Sequence, residues 1–146
     1  MLVFAREQVQ GVSVDEAYAD VTQVVAATDP TEQLDRRIRA VAESLRRAVR
    51  HATECNASVG SGPNRLLARM ATARAKPDGY FHISSEEAIE YLDPLAVRSL
   101  PGVGYNTVEK LTKLGVSTIG DLRAKSRLQL KEHLGDRVSA AGPLPP

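Results

Sequence analysis

The chain holds one cysteine, Cys55, among 146 residues. An internal disulfide is excluded, and a zinc site built on cysteine pairs lacks its ligands. Long hydrophobic runs are missing as well: none approaches the roughly 20 residues that span a bilayer, so no membrane partner is expected. The opening M-L-V-F-A-R has neither the basic start nor the long apolar stretch of a secretory signal. A charge excess is also lacking. Nineteen Lys and Arg stand against 18 Asp and Glu, for a net charge of +1, and that balance alone says nothing about nucleic acid. These absences lead us to expect an intracellular protein. What remains, 42% hydrophobic and 25% charged, is ordinary globular composition. The length suits one domain or two small ones with a true core.

The charges are unevenly spread. Residues 61–79 carry Arg65, Arg69, Arg74 and Lys76 against Asp78 alone. Residues 98–137 are again mostly basic, whereas acids gather early, at Asp15, Glu16 and Asp20. A basic surface beside a compact acidic cluster suits a polyanion held next to a divalent metal. Ordinary solvated helix faces would give the same pattern.

Residues 8–14 and 17–25 are Val-rich and partly alternating, which predicts two strands in a hairpin or a sharply bent pair, with Asp15 and Glu16 near the bend. Leu34, Ile38, Val41, Leu45, Ala48 and Ala52 recur at helical spacing, predicting an amphipathic helix with its arginines outward. A strand is expected over 56–60. A helix with Leu66, Leu67, Met70 and Ala71 inward should follow, ended by Pro77, Asp78 and Gly79. A strand over 80–83 and a helix over 84–92, capped from Ser84 to Glu87, complete this part. After residues 93–94 the strand signal vanishes. Short helices are predicted over 105–114, 118–124 and 127–134, the last two with capping-box spacings at Thr118/Asp121 and Ser126/Gln129. The predicted organisation is an α/β (α+β) domain over 1–93, a small all-helical domain over 94–137 and a disordered tail over 138–146.

Three motifs carry chemistry. In L-P-G-V-G (100–104), glycines allow a tight turn, and free N–H groups at the start of the next helix can face a phosphate oxygen. The spacing is that of a helix-hairpin-helix, which grips a nucleic-acid backbone without reading bases. A plain helical corner is the alternative. In S-V-D-E-A-Y (13–18), a bend can turn two carboxylates toward one site as hard ligands for Mg²⁺. Acidic pairs also occur as surface decoration. In the third motif, Lys76 precedes Pro77, which fixes where the chain leaves the helix. The ammonium could meet a triphosphate or merely complement the helix dipole.

S-V-D-E-A-Y-A-D-V-T, then N-R-L-L-A-R-M-A-T-A-R-A-K-P-D-G, then L-P-G-V-G, in this order, resemble the Y-family translesion DNA polymerases over about residues 8–135. The resemblance implies the later part of a palm domain followed by a thumb with a helix-hairpin-helix motif. It implies that Asp15 and Glu16 are catalytic, as two of three metal-binding carboxylates in a two-metal Mg²⁺ site. It implies that Lys76 contacts the incoming deoxynucleoside triphosphate, and that Gly102, Val103, Gly104 and Lys110 follow the DNA backbone. The implied activity is nucleotidyl transfer at a primer 3′ end during error-prone translesion synthesis. The implied partners are primer-template DNA, damaged DNA and other replication or repair proteins, in the nucleus. The K-P-D-G segment with L-P-G-V-G is most similar to the deoxycytidyl transferase branch, which inserts dCMP opposite damaged template. Val14, where that branch often has cysteine, and Tyr18 lie nearer the general family pattern, so another branch stays open.

The family's first metal-binding aspartate and its fingers precede this motif, and here only fourteen residues precede Asp15, Glu7 being their one acid. We therefore expect a fragment, inactive alone, with an exposed sheet edge in the palm. Two alternatives are a non-catalytic DNA-binding module and a scaffold for protein partners.

Overall fold

The computed structural model describes residues 8–134. The chain divides into two compact units, one ending at Ser85 and the other starting at Glu86.

The first unit opens with a hairpin. Strand β1 (Val9–Gly11) pairs antiparallel with β2 (Ala17–Ala19), in the register Val9 to Ala19 and Gly11 to Ala17. The loop between them closes tightly, because the Glu16 carbonyl accepts from both Val12 N (2.8 Å) and Ser13 N (3.2 Å). The hairpin and the place of the acidic pair are as the sequence predicts, but both strands are shorter than expected. β2 stops at Ala19, and the valines that read as strand form helix α1 (Thr22–Ala26), burying Val25. The cause is Asp20, whose carboxylate accepts the Thr22 N–H at 2.9 Å and turns the chain into a helical start. Local hydrogen bonding and burial here override the strand preference of valine.

Helix α2 (Leu34–Thr53) buries Val41 and Ala42, with Ile38 and Leu45 half-buried. Leu34, Ala48 and Ala52 are exposed, so the apolar stripe is used only along its middle. Not all its arginines point outward. Arg37 donates to Thr28 Oγ1 (2.8 Å) and Val25 O, tying α2 to α1, and Arg46 is likewise turned inward.

Strand β3 (Val59–Ser61), helix α3 (Arg65–Ala75) and strand β4 (Tyr80–His82) form a β-α-β unit whose strands pair parallel, Val59 to Tyr80. Asn64 caps α3 through its side chain, accepting from Leu67 N at 2.9 Å. Leu67, Met70, Ala71 and Ala75 are buried, while Leu66 is only half-buried. The helix lies very close to β3, since a Cβ on Gly60 would sit 2.0 Å from Thr72 N and 2.5 Å from Ala68 O. Only glycine fits there. Among the described residues the two sheets stay separate, each two-stranded. Val9, Val12 and Val14 of the hairpin are exposed.

The second unit is helical. α4 spans Ala88–Leu92, with Glu87 at its N-cap, and so starts later than the predicted 84–92. A 3-10 turn (Val97–Ser99) leads to α5 (Tyr105–Lys113), α6 (Ile119–Arg123) and α7 (Arg127–Leu134). The capping boxes predicted for α6 and α7 both form. Thr118 Oγ1 accepts from Asp121 N while Asp121 Oδ2 accepts from Thr118 N (2.9 Å). Ser126 and Gln129 make the same reciprocal pair. Val97, Leu111 and Val116 form the core, with Leu100, Val103, Leu114, Leu122, Leu130 and Leu134 packed against it. The tail expected to be disordered lies outside the described residues.

Candidate functional site

In the first unit the structure brings together two motifs that lie 60 residues apart in sequence. Glu16 leaves the hairpin bend, and its Oε1 lies 4.0 Å from Lys76 Nζ. Both side chains are well exposed, at 45% and 62%, so the pair is weak as a source of stability. It matters as a juxtaposition of opposite charges in open solvent. Asp15 stands beside Glu16 and accepts from Ser13 Oγ at 2.7 Å. That hydroxyl, then its own backbone N–H, and to a lesser degree the positive charge of Lys76, hold the Asp15 carboxyl below the usual carboxylate range. Asp15 is thus ionised throughout the neutral range.

The remaining early acid, Asp20, is committed to the start of α1. Among the described residues no group of three His, Cys, Asp or Glu is placed to hold a metal. Asp15 and Glu16 suit a hard cation in chemistry, because they are adjacent, exposed carboxylate oxygens. They could supply only part of the shell of an ion that usually keeps several waters.

Lys76 is the C-cap residue of α3. Its backbone is extended (φ −71°, ψ 143°), its N–H donates to Thr72 O, and it is joined to Pro77 by a cis peptide bond. The next residue, Asp78, has φ +46°, in the left-handed region that non-glycine residues seldom occupy. Arg46 reaches across from α2 to hold it, donating from Nη2 to Asp78 O and Asp78 Oδ1, both at 2.7 Å. Neither Arg46 nor Asp78 stands out in the sequence as a site residue. They are 32 positions apart, and no local spacing links them. The hairpin meets α3 again at its start, where the Arg65 guanidinium lies 4.8 Å from the centre of the Tyr18 ring.

The second unit presents the L-P-G-V-G hairpin. Val103 N donates to Leu100 O (3.1 Å), and Gly102 sits at φ +84°, where a side chain would be strained. Gly104 is the N-cap of α5, and its carbonyl accepts from Thr107 N and Val108 N. The N–H groups of Gly102, Gly104, Tyr105 and Asn106 have no backbone acceptor among the described residues. Nothing would lie within 4 Å of a Cβ on Gly102 or Gly104, so the outer face of the turn is open. The Val103 side chain is half-buried and packs against the core. Lys110 is exposed in the last turn of α5, about 9 Å along the axis from Gly104 at the usual rise per residue. The arm before the hairpin is one 3-10 turn rather than a regular helix.

The acidic pair at the bend thus lies near the K-P-D-G lysine, and a glycine hairpin that starts a helix follows in the chain, the order in which the resemblance to the Y-family polymerases places palm and thumb motifs. The comparisons agree. The sequence model of the impB/mucB/samB family matches residues 1–73, and that of the DNA polymerase-iota thumb domain matches residues 98–141. The chain is 40% identical over 130 residues to the DNA repair protein rev1 of Schizosaccharomyces pombe, covering 88% of this chain and 13% of that protein. It is 38% identical over 127 residues to DNA polymerase IV of Xanthomonas oryzae, covering 87% of this chain and 33% of that one. The crystal structure of DinB from Sulfolobus solfataricus superposes with a TM-score of 0.76 at 25% identity, covering 92% of this chain and 38% of that chain. This chain belongs to the impB/mucB/samB family, the Y-family of DNA polymerases. It spans 13% and 33% of the length of the two sequence relatives and 38% of the DinB chain.

Proposed function

We propose that this chain provides the later palm and the thumb of a translesion DNA polymerase active in DNA repair. One observation carries the reading: the hairpin bend delivers the Asp15–Glu16 pair to the lysine that ends α3. In the proposed roles Asp15 and Glu16 hold Mg²⁺ beside the primer 3′ end, and Lys76 binds the triphosphate of the incoming nucleotide. Bound Mg²⁺ supplies Lewis-acid stabilisation of the attacking and leaving oxygens of an in-line displacement. The chain's own contribution is positional. Ser13 keeps the Asp15 carboxylate oriented and ionised. Lys76 meets phosphate as a point charge and leaves Glu16 when it does so.

In the thumb, the open N–H groups at Gly102 and Gly104 and the charge of Lys110 follow the DNA backbone, while Val103 anchors the turn in the core. Such contacts fix register and carry no sequence preference. We place the chain in the deoxycytidyl transferase branch, on the A-R-M-A-T-A-R-A-K-P-D-G segment and the likeness to rev1. Nuclear repair with other replication proteins as partners follows from that placement. The 146-residue chain alone is proposed to be inactive, because two carboxylates without a third hold metal weakly.

The test is primer extension by a polymerase carrying this segment in its complete chain. Asp15→Ala should lower single-nucleotide incorporation on the order of a hundredfold or more, with primer-template affinity unchanged. Preferred dCMP insertion opposite an abasic site supports the branch. Unchanged incorporation by the variant would rule out the assigned role of the acidic pair.

A further inference from the structure

Arg46 makes five side-chain hydrogen bonds, and the proposed chemistry does not use it. Its Nε donates to Ala57 O (2.9 Å), and its Nη1 to both oxygens of Glu43 (3.0 and 2.9 Å). Its Nη2 donates to the carbonyl and the carboxylate of Asp78 (both 2.7 Å). Five acceptors match the five N–H donors of a guanidinium, and the side chain is only 19% exposed. A lysine could not fill this set, because its ammonium has three donors and no planar fork. Two of the five bonds end on Asp78, the residue with φ +46°. A non-glycine residue persists there only when its surroundings hold it. Asp78 lies two positions after Lys76, with Pro77 between them fixing φ on that side. The lysine backbone is therefore anchored at one end by Thr72 O in α3 and at the other by Arg46 through Asp78.

We propose that Arg46 is a positioning residue that sets where Lys76 presents its ammonium to the triphosphate. The inference rests on the triphosphate-binding role given to Lys76 above. Loss of the fork frees Asp78 to leave the left-handed region, and the direction in which the chain leaves α3 then changes. A general loss of fold is a different effect, and a double-mutant cycle separates the two.

The experiment measures binding of dCTP in excess Mg²⁺ to a polymerase carrying this segment in its complete chain, by NMR titration of its amides, for the wild type, Lys76→Ala, Arg46→Lys and the double variant. Lys76→Ala should weaken binding about tenfold through loss of one charge-assisted contact. Arg46→Lys should weaken it roughly threefold to fivefold, with the Lys76 and Asp78 amides shifted before any ligand is added. In the Lys76→Ala background Arg46→Lys should have no further effect. If Lys76→Ala weakens binding and Arg46→Lys does not, the positioning role is wrong and the role of Lys76 stands. An equal loss from Arg46→Lys in both backgrounds makes Arg46 merely structural and also overturns the proposal. No effect from Lys76→Ala, or no dCTP binding by the wild type, removes the role of Lys76 and the proposal with it.

Discussion

Gly60 and Gly104 show how differently two glycines serve one chain. At Gly60 a methyl group would run into backbone atoms of α3 at 2.0 and 2.5 Å, which cannot move without parting helix from strand. Gly60→Ala is therefore expected to destabilise by roughly 3 kcal/mol or more, read as a lower midpoint in urea unfolding. Gly104 has open space and φ −86°, so Gly104→Ala meets no clash and should cost only about 0.5–1 kcal/mol, through the poorer N-cap it gives α5. Asp15 gives a different residue-scale expectation. Its carboxyl is held low in the folded chain, first by the Ser13 hydroxyl. A depressed carboxyl favours the fold above its unfolded pKa, and the effect disappears as pH falls through the folded value. In an NMR pH titration the Asp15 midpoint should lie below that of a free aspartate, and Ser13→Ala should move it upward. The acidic pair and Lys76 are legible in the sequence because each sits in a motif with its own local logic. Arg46 and Asp78 are not, because their link is tertiary and forms only when α2 packs beside the end of α3.

At the scale of elements, legibility followed the reach of the interactions. The caps of α6 and α7 are local, spanning three residues, and both form as the spacing predicts. Helix α4 begins at Ala88, later than the expected start at 84. Helix α1 escaped notice because its valines favour strand, while the Asp20 side chain and the burial of Val25 decide the outcome. The capping pair of α6 gives a direct test. Thr118→Ala removes the acceptor for Asp121 N and should cost about 1 kcal/mol, while Thr118→Ser should restore most of it. Asp121 accepts from the Thr118 and Ser117 N–H groups, which hold its carboxyl low. The cap should therefore be intact above the ordinary carboxylate range and fail as pH falls through the lowered value. The Ser117 and Thr118 amide shifts should follow that transition.

For the whole molecule, the proposal assigns chemistry to one compact unit and grip on DNA to the other, so the two should fail separately. Gly104→Asp tests this without confusing lost binding with lost folding. Aspartate is among the best N-cap residues, and the backbone of Gly104 is already extended, so α5 should be as stable as before or slightly more so. The same substitution places a negative charge at the open N–H groups where a phosphate oxygen is proposed to lie. Primer-template affinity should fall roughly tenfold, and the dependence of log affinity on log salt should become shallower by about one ion. Triphosphate binding at Lys76 should not change. A variant that keeps its unfolding midpoint while losing DNA and keeping dCTP would tie the grip to this hairpin. If the same variant binds DNA with unaltered affinity and salt dependence, the phosphate does not sit at the glycine turn. The basic side chains of the unit, Lys110 among them, would then carry the contact.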